Sequence, residues 1–215
     1  MRMRVLVIGA NGLTGRLLVR KLKDGPHQPV AMIRDPDQQA TFDAMGVPVA
    51  VGDLEAPLDP VLEGMEAVIF AAGSGSKTGP EKTLAVDRDG AIRSIAAVEA
   101  AGIQRYIMLS AMRADPRSEG HPISHYLRAK GIADEHLRRS DLAYTIVRPG
   151  RLTNEPGTGK VALASQLEPG GSVPRDDVAA VMAAGLDHPA THRVSFDLLG
   201  GETPILDAFS GIASD

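Results

Sequence analysis

Apolar residues along the chain fall into two alternating rhythms. RVLVIG at 4–9, PVAMI at 29–33, PVAV at 48–51, EAVIFAA at 66–72, QRYIMLS at 104–110 and AYTIVR at 143–148 are short and rich in β-branched residues, as strands are. Several are almost continuously apolar, which suits strands covered on both faces rather than a sheet with one face in water. Between them, apolar positions recur three and four apart, as on one face of a helix. These stretches are 13–24, where Leu13, Leu17, Leu18 and Leu22 share a face, roughly 36–45, 58–64, 81–101 and 122–140. Strand and helix patterns that alternate in this way predict an α/β chain with a mostly parallel, doubly wound sheet. After residue 150 the rhythm loosens into the loop RLTNEPGTGK. A strand at 160–165, a helix at 175–187 opened by PRDD, a strand at 193–199 and a terminal helix at 203–212 are expected to follow. With no internal repeat and no low-complexity linker, the expectation is one domain over 1–215, with a small substrate-side region from about 150–175.

Composition narrows the classes of function. With 215 residues, 43% hydrophobic and 23% charged, the chain has the make-up of one soluble globular domain. A net charge of -4 and scattered basic residues argue against nucleic acid or an anionic membrane as partner. A small-molecule substrate is the expected partner, with the protein a monomer or a homodimer. Absence of cysteine excludes disulfides and thiol chemistry. His121, His125 and His136 show no metal-ligand spacing, so no metal is expected. The start, MRMRVLVIGANG, has no signal-peptide pattern, and no apolar run reaches about 18 residues, so a cytoplasmic protein is expected.

The first chemical signal is VLVIGANGLTGRLL, with Gly9, Gly12 and Gly15 at three-residue spacing between the first strand and the first helix. Glycine lets the chain turn off the strand, bring backbone N–H groups close to a pyrophosphate and pack helix against sheet. The helix N-terminus adds partial positive charge at the same place. Together these features read as a dinucleotide-binding turn formed by Gly9, Asn11, Gly12, Leu13, Thr14 and Gly15. At the end of the second strand, AMIRDPD offers both Arg34, able to hold a 2′-phosphate, and Asp35, able to read a free 2′-hydroxyl. NADP is favoured there, with NAD left open.

Ser110 closes the fifth strand, and Tyr126 and Lys130 lie four residues apart on the helix after it. Ligands of open α/β sheets bind beyond the carboxyl ends of the strands, which puts all three near that crevice. An ammonium close to a tyrosine, together with the positive charge of an oxidised nicotinamide, would lower the phenol's pKa and favour proton exchange with a substrate oxygen. The G-x-x-G-x-x-G turn, Ser110 and the Tyr126-x-x-x-Lys130 spacing resemble the short-chain dehydrogenase/reductase superfamily in its extended or atypical branch. More closely, the chain resembles the small NAD(P)H-binding, NAD-dependent epimerase/dehydratase-like group, with NmrA-like and biliverdin or flavin reductases as kin.

The resemblance implies a Rossmann-type fold and catalysis by Ser110, Tyr126 and Lys130, with Lys130 also on the nicotinamide ribose. It further implies cofactor contacts from Asp53 and Leu54, from Ala71, Ala72 and Gly73, and from Pro149 beside the nicotinamide. Arg148 or Arg151 would face the pocket, the alternative, favoured for Arg151, being a loop that merely ends the strand. The chain departs from the family at Asp87, where asparagine is common, and in its long loop at 111–122. The expected function is an NADP-dependent oxidoreductase passing hydride between NADP(H) and a small carbonyl or alcohol. The alternatives are an NADP-sensing regulator and a flavin-type NADPH reductase that uses no catalytic tyrosine. Only about 65 residues follow Gly150, which argues against a full nucleotide-sugar site.

Overall fold

A computed structural model describes residues 2–75 and 78–212. Six parallel strands form its centre: β1 (Arg4–Ile8), β2 (Gln28–Ile33), β3 (Val49–Val51), β4 (Ala67–Phe70), β5 (Arg105–Leu109) and β6 (Ala143–Pro149). The later segments add β7 (Arg151–Thr153), β8 (Lys160–Ala164), β9 (Ser172–Pro174), β10 (Val194–Gly200) and β11 (Thr203–Pro204). The main sheet has nine strands in the order β11-β8-β10-β6-β5-β4-β1-β2-β3, while β7 and β9 pair separately. Chain direction through the sheet reverses between β1 and β4, so a crevice opens beyond their carboxyl ends. This is the α/β Rossmann-type arrangement that the alternating pattern predicts. The strand expected at 160–165 is β8, which runs antiparallel to β10, while the two- and three-residue strands β7, β9 and β11 are features the pattern did not separate.

The near-continuous apolar runs are explained by two packed faces. Val5 and Val7 of β1 join the cluster containing Leu18, Val19 and Leu22 of α1 (Leu13–Asp24) and Val178 and Met182 of α7 (Arg175–Ala184). Leu6 and Ile8 point the other way, against Ile95 and Val98 of α5 (Ala91–Ala100) and Leu137 of α6 (Ser124–Arg138). Successive strand residues thus feed opposite layers, and no face is left to water. Short helices complete the chain: α2 (Gln39–Asp43), α3 (Asp59–Leu62), α4 (Pro80–Thr83) and α8 (Ile205–Ala208).

Two differences from the expected elements bear on the site. The helix expected over 81–101 is interrupted: between α4 and α5, Leu84–Gly90 is a π-helical segment. Such wider turns re-aim side chains, and this one carries Asp87 inward to full burial. The long loop at 111–122 is also held tightly. Asp115 N donates to the Leu127 carbonyl of α6 at 3.2 Å, and a Cβ on Gly131 would lie 2.5 Å from Asp115 C and Pro116 N. Glycine at 131 therefore lets the loop lie directly on the helix.

Below the crevice, Arg105 is a structural tie. It donates to the carbonyls of Ala143, Gly185 and Leu186 and to the hydroxyls of Thr145 and Thr191. Burial pulls its guanidinium down to about 10, opposed by Asp187.

Candidate active site

The glycine turn bends sharply out of β1. Gly9 has φ +82°, and a Cβ there would meet Ala72 N at 2.5 Å, so the turn needs glycine for both conformation and space. Gly12 N donates to the Gly9 carbonyl at 3.0 Å, and Arg16 Nε holds Asn11 Oδ1 at 3.0 Å. Gly12 precedes α1, and no side chain caps that helix end. Its first-turn amides therefore face the crevice without a side-chain acceptor.

A cleft of about 390 Å³ joins this turn to the ends of β2, β3 and β4. Of the residues expected to bind the cofactor, Gly9, Asn11, Gly12, Arg34, Asp53, Leu54, Ala72 and Gly73 line it. Met32, Gln38, Gly52, Glu55, Ser74 and Lys82 line it too and were not singled out in the sequence. Lys82 and Glu55 form an ion pair beside the opening. Leu13 lies elsewhere: it is 64% exposed and borders a second cavity of about 580 Å³ with Arg16, Asn154, Glu155 and Arg175. Thr14 and Gly15 are buried beneath the turn, Ala71 N donates to the Ile8 carbonyl, and Pro149 is a buried strand end whose carbonyl accepts from Met112 N. These four do not line the cleft. The uncapped helix end, the Gly9 cradle and the exposed Arg34 at the β2 end together fit the diphosphate and ribose of a dinucleotide.

The choice offered by Arg34 and Asp35 is sharpened by local geometry. Asp35 Oδ1 accepts from Asp37 N at 3.0 Å and caps the turn Pro36–Gln38, and Asp35 does not line the cleft. Arg34 lines it, with no partner described for its guanidinium.

The second half of the site is assembled on one face of α6. Tyr126, Lys130 and Asp134 follow one another at four-residue steps and point to the same side. Lys130 is buried at 1% exposure, with Nζ donating to the Leu109 carbonyl at 2.7 Å, 4.0 Å from Asp87 Oδ1 and 5.7 Å from the centre of the Phe70 ring. Asp87 Oδ2 accepts from Ser74 N at 2.9 Å, which ties the π-helical segment to the cofactor-side loop. The position where relatives often have asparagine is thus occupied by a carboxylate directly beside the lysine. Ser110 Oγ donates to Asp134 Oδ2 at 2.8 Å, and both residues are buried. One oxygen of each carboxylate, Asp87 Oδ1 and Asp134 Oδ1, is buried without a hydrogen-bond partner.

This geometry reverses one expectation. Burial first, then the carboxylates of Asp87 and Asp134, pushes the Tyr126 phenol above its ordinary pKa. Lys130 was expected to draw it down, but its ammonium is engaged by the Leu109 carbonyl and faces Asp87. Tyr126 is therefore held as a protonated O–H donor. Asp134 is displaced upward as well, to about 6. Burial causes this, and the Ser110 hydrogen bond and the charges of Lys130, Arg138 and Arg148 oppose it.

Asp134 was not singled out in the sequence, although an acid one turn beyond Lys130 on the buried face was its signal. Arg148 is engaged by other partners, pairing with Asp197 at 3.0 Å and donating to the Ser165 carbonyl at 2.7 Å, while its charge still reaches Asp134. Arg151 is exposed at the start of β7. Among the described residues there is no cluster suited to a metal ion, and no helix is long and apolar enough to cross a membrane.

The chain is similar to known proteins over most of its length. A family model described as NAD(P)H-binding matches residues 9–189. YhfK of Bacillus subtilis strain 168, named an uncharacterized sugar epimerase, is 45% identical over 96% of this chain and 98% of its own. A solved protein of Bacillus halodurans, provisionally named an NAD-dependent epimerase/dehydratase, superposes with a TM-score of 0.93 at 43% identity, covering 97% of this chain and 99% of that one. ChuY of Escherichia coli O157:H7, titled an anaerobillin reductase, superposes at 0.79 with 25% identity, covering 92% and 97%.

Proposed function

The chain belongs to the NAD(P)H-binding family, and from that premise we propose that it is an NADP-dependent oxidoreductase acting on a small carbonyl or alcohol, with Tyr126 as the acid/base. The observation that carries this reading is one face of α6, where Asp134 binds Ser110, Lys130 lies beside Asp87 and the half-buried Tyr126 is within electrostatic reach of both carboxylates. A binding module has no evident need for two carboxylates, an ammonium and a phenol in one desolvated cluster, whereas proton transfer does.

Gly9, Asn11 and Gly12 would hold the diphosphate, and Arg34 the ribose 2′-phosphate. The bound dinucleotide supplies or accepts the hydride. Tyr126, kept protonated by its surroundings, donates its proton to the carbonyl oxygen on which negative charge develops. Ser110 positions that oxygen. Lys130 lies beside Asp87 and fixes the β5 end through the Leu109 carbonyl. Carbonyl reduction is thus the direction best served by the site in its free state.

The test is a screen of small aldehydes and ketones for loss of NADPH absorbance, with Tyr126→Phe beside the wild type. Removing a positioned proton donor should lower turnover by about 10²–10⁴-fold while NADPH affinity is unchanged. Equal turnover in the phenylalanine variant removes the tyrosine from the mechanism and favours the flavin-type reading. Tight NADPH binding without turnover of any carbonyl favours the sensor.

A further inference from the structure

The least explained group in the site is Asp134. It is 1% exposed, it offers one oxygen to Ser110 and leaves the other unpaired, and no role follows for it from the resemblance. We infer that Asp134 is a positioning residue that sets which way the Ser110 hydroxyl directs its hydrogen, and so whether the site presents a donor or an acceptor to the substrate oxygen. This rests on the oxidoreductase reading and specifies how one site could serve both carbonyl and alcohol.

A hydroxyl has one hydrogen and two lone pairs. An ionised Asp134 only accepts, so the Ser110 hydrogen is spent on it and a lone pair faces outward, suited to an alcohol O–H. A protonated Asp134 can donate to Ser110 Oγ, which frees the serine hydrogen for a carbonyl oxygen. The 2.8 Å separation serves either arrangement.

The groups that face Asp134 keep both states within reach. Ser110 directly follows β5, Lys130 and Arg138 come from α6 and Arg148 from β6; their hydrogen bond and positive charges favour the carboxylate, while burial favours the acid. Tyr126 from α6 lies within electrostatic reach of Asp134, and also of Asp87 on the π-helical segment. These opposing influences place the carboxyl at about 6, so both states are populated at mildly acidic to neutral pH.

Carboxyl-carbon NMR of aspartate-labelled protein, with Asp134→Asn to assign the resonance, reads the pair without turnover. A resonance titrating near pH 6 in the wild type, and moving upward by about one unit in Ser110→Ala as the donor to the carboxylate is lost, is the expected result. Titration below about pH 4.5, near the ordinary aspartate value, or a midpoint unmoved by Ser110→Ala, overturns the inference even if the asparagine variant fails to fold. With a turned-over carbonyl, the kcat profile of the wild type should fall as pH rises through 6, and Asp134→Asn should lose that inflection. An inflection that persists in the variant also overturns it. Absence of all turnover beside a coupled Ser110–Asp134 titration removes the oxidoreductase reading and leaves the pair standing.

Discussion

Replacing Gly131 by alanine tests how closely the loop at 111–122 packs on α6. In the middle of a helix, glycine to alanine ordinarily stabilises by about 1 kcal/mol. Here the added Cβ would lie 2.5 Å from both Asp115 C and Pro116 N and 2.6 Å from Asp115 N. All three are backbone atoms, so no side chain can swing aside, and the loop must lift from α6. Overpacking of this kind costs about 1–3 kcal/mol, and the 3.2 Å bond from Asp115 N to the Leu127 carbonyl is stretched or lost, at about 1 kcal/mol. The net expectation is destabilisation by about 2 kcal/mol. Urea unfolding should show this as a midpoint lowered by roughly 0.8 M, at about 2–3 kcal/mol per molar. NADPH affinity should be unchanged, since the cleft is built from the ends of β1 to β4, while turnover falls. A variant as stable as the wild type, or more so, would refute the argument, because helix propensity alone predicts that sign.

Arg34→Ala should weaken NADPH binding about 10–100-fold, the loss of one charge-assisted phosphate contact, and leave NADH binding nearly unaltered; equal losses measured by fluorescence titration would sink the phosphate assignment. Arg105→Met should destabilise by at least about 3 kcal/mol, because it leaves the Ala143, Gly185 and Leu186 carbonyls without their buried donor. Thermal unfolding of the variant within a degree or two of the wild type would contradict that role.

The strands legible in the sequence are those buried on both faces. For β1, β2, β5 and β6 an apolar run in one register records burial directly. Strands β7, β9 and β11 have three residues or fewer and are set by pairing partners distant in the chain, so their local pattern is silent. The π-helical segment was hidden for another reason: the stretch from α4 to α5 is rich in alanine, whose small side chains mark a helix face too weakly to fix its phase.

At the site, the glycine turn was readable because glycine has few other reasons to recur there. Ser110, Tyr126 and Lys130 could be placed by topology, but the sign of the Tyr126 shift could not. It depends first on burial and then on Asp87 and Asp134, which act on the phenol only in the fold. The hydrogen bond between Ser110 and Asp134 spans 24 residues and leaves no local trace.

The central claim, hydride exchange between a nicotinamide cofactor and a carbonyl with Tyr126 supplying the proton, is tested most directly by label transfer. NADPH carrying deuterium at the transferred C4 position is incubated with the purified protein and a carbonyl that it consumes, and the alcohol product is analysed by mass spectrometry and NMR. The account predicts one deuterium on the carbinol carbon, and a rate at least about 10²-fold lower in Tyr126→Phe. Product without the label, or label transfer at the same rate in the phenylalanine variant, would contradict it.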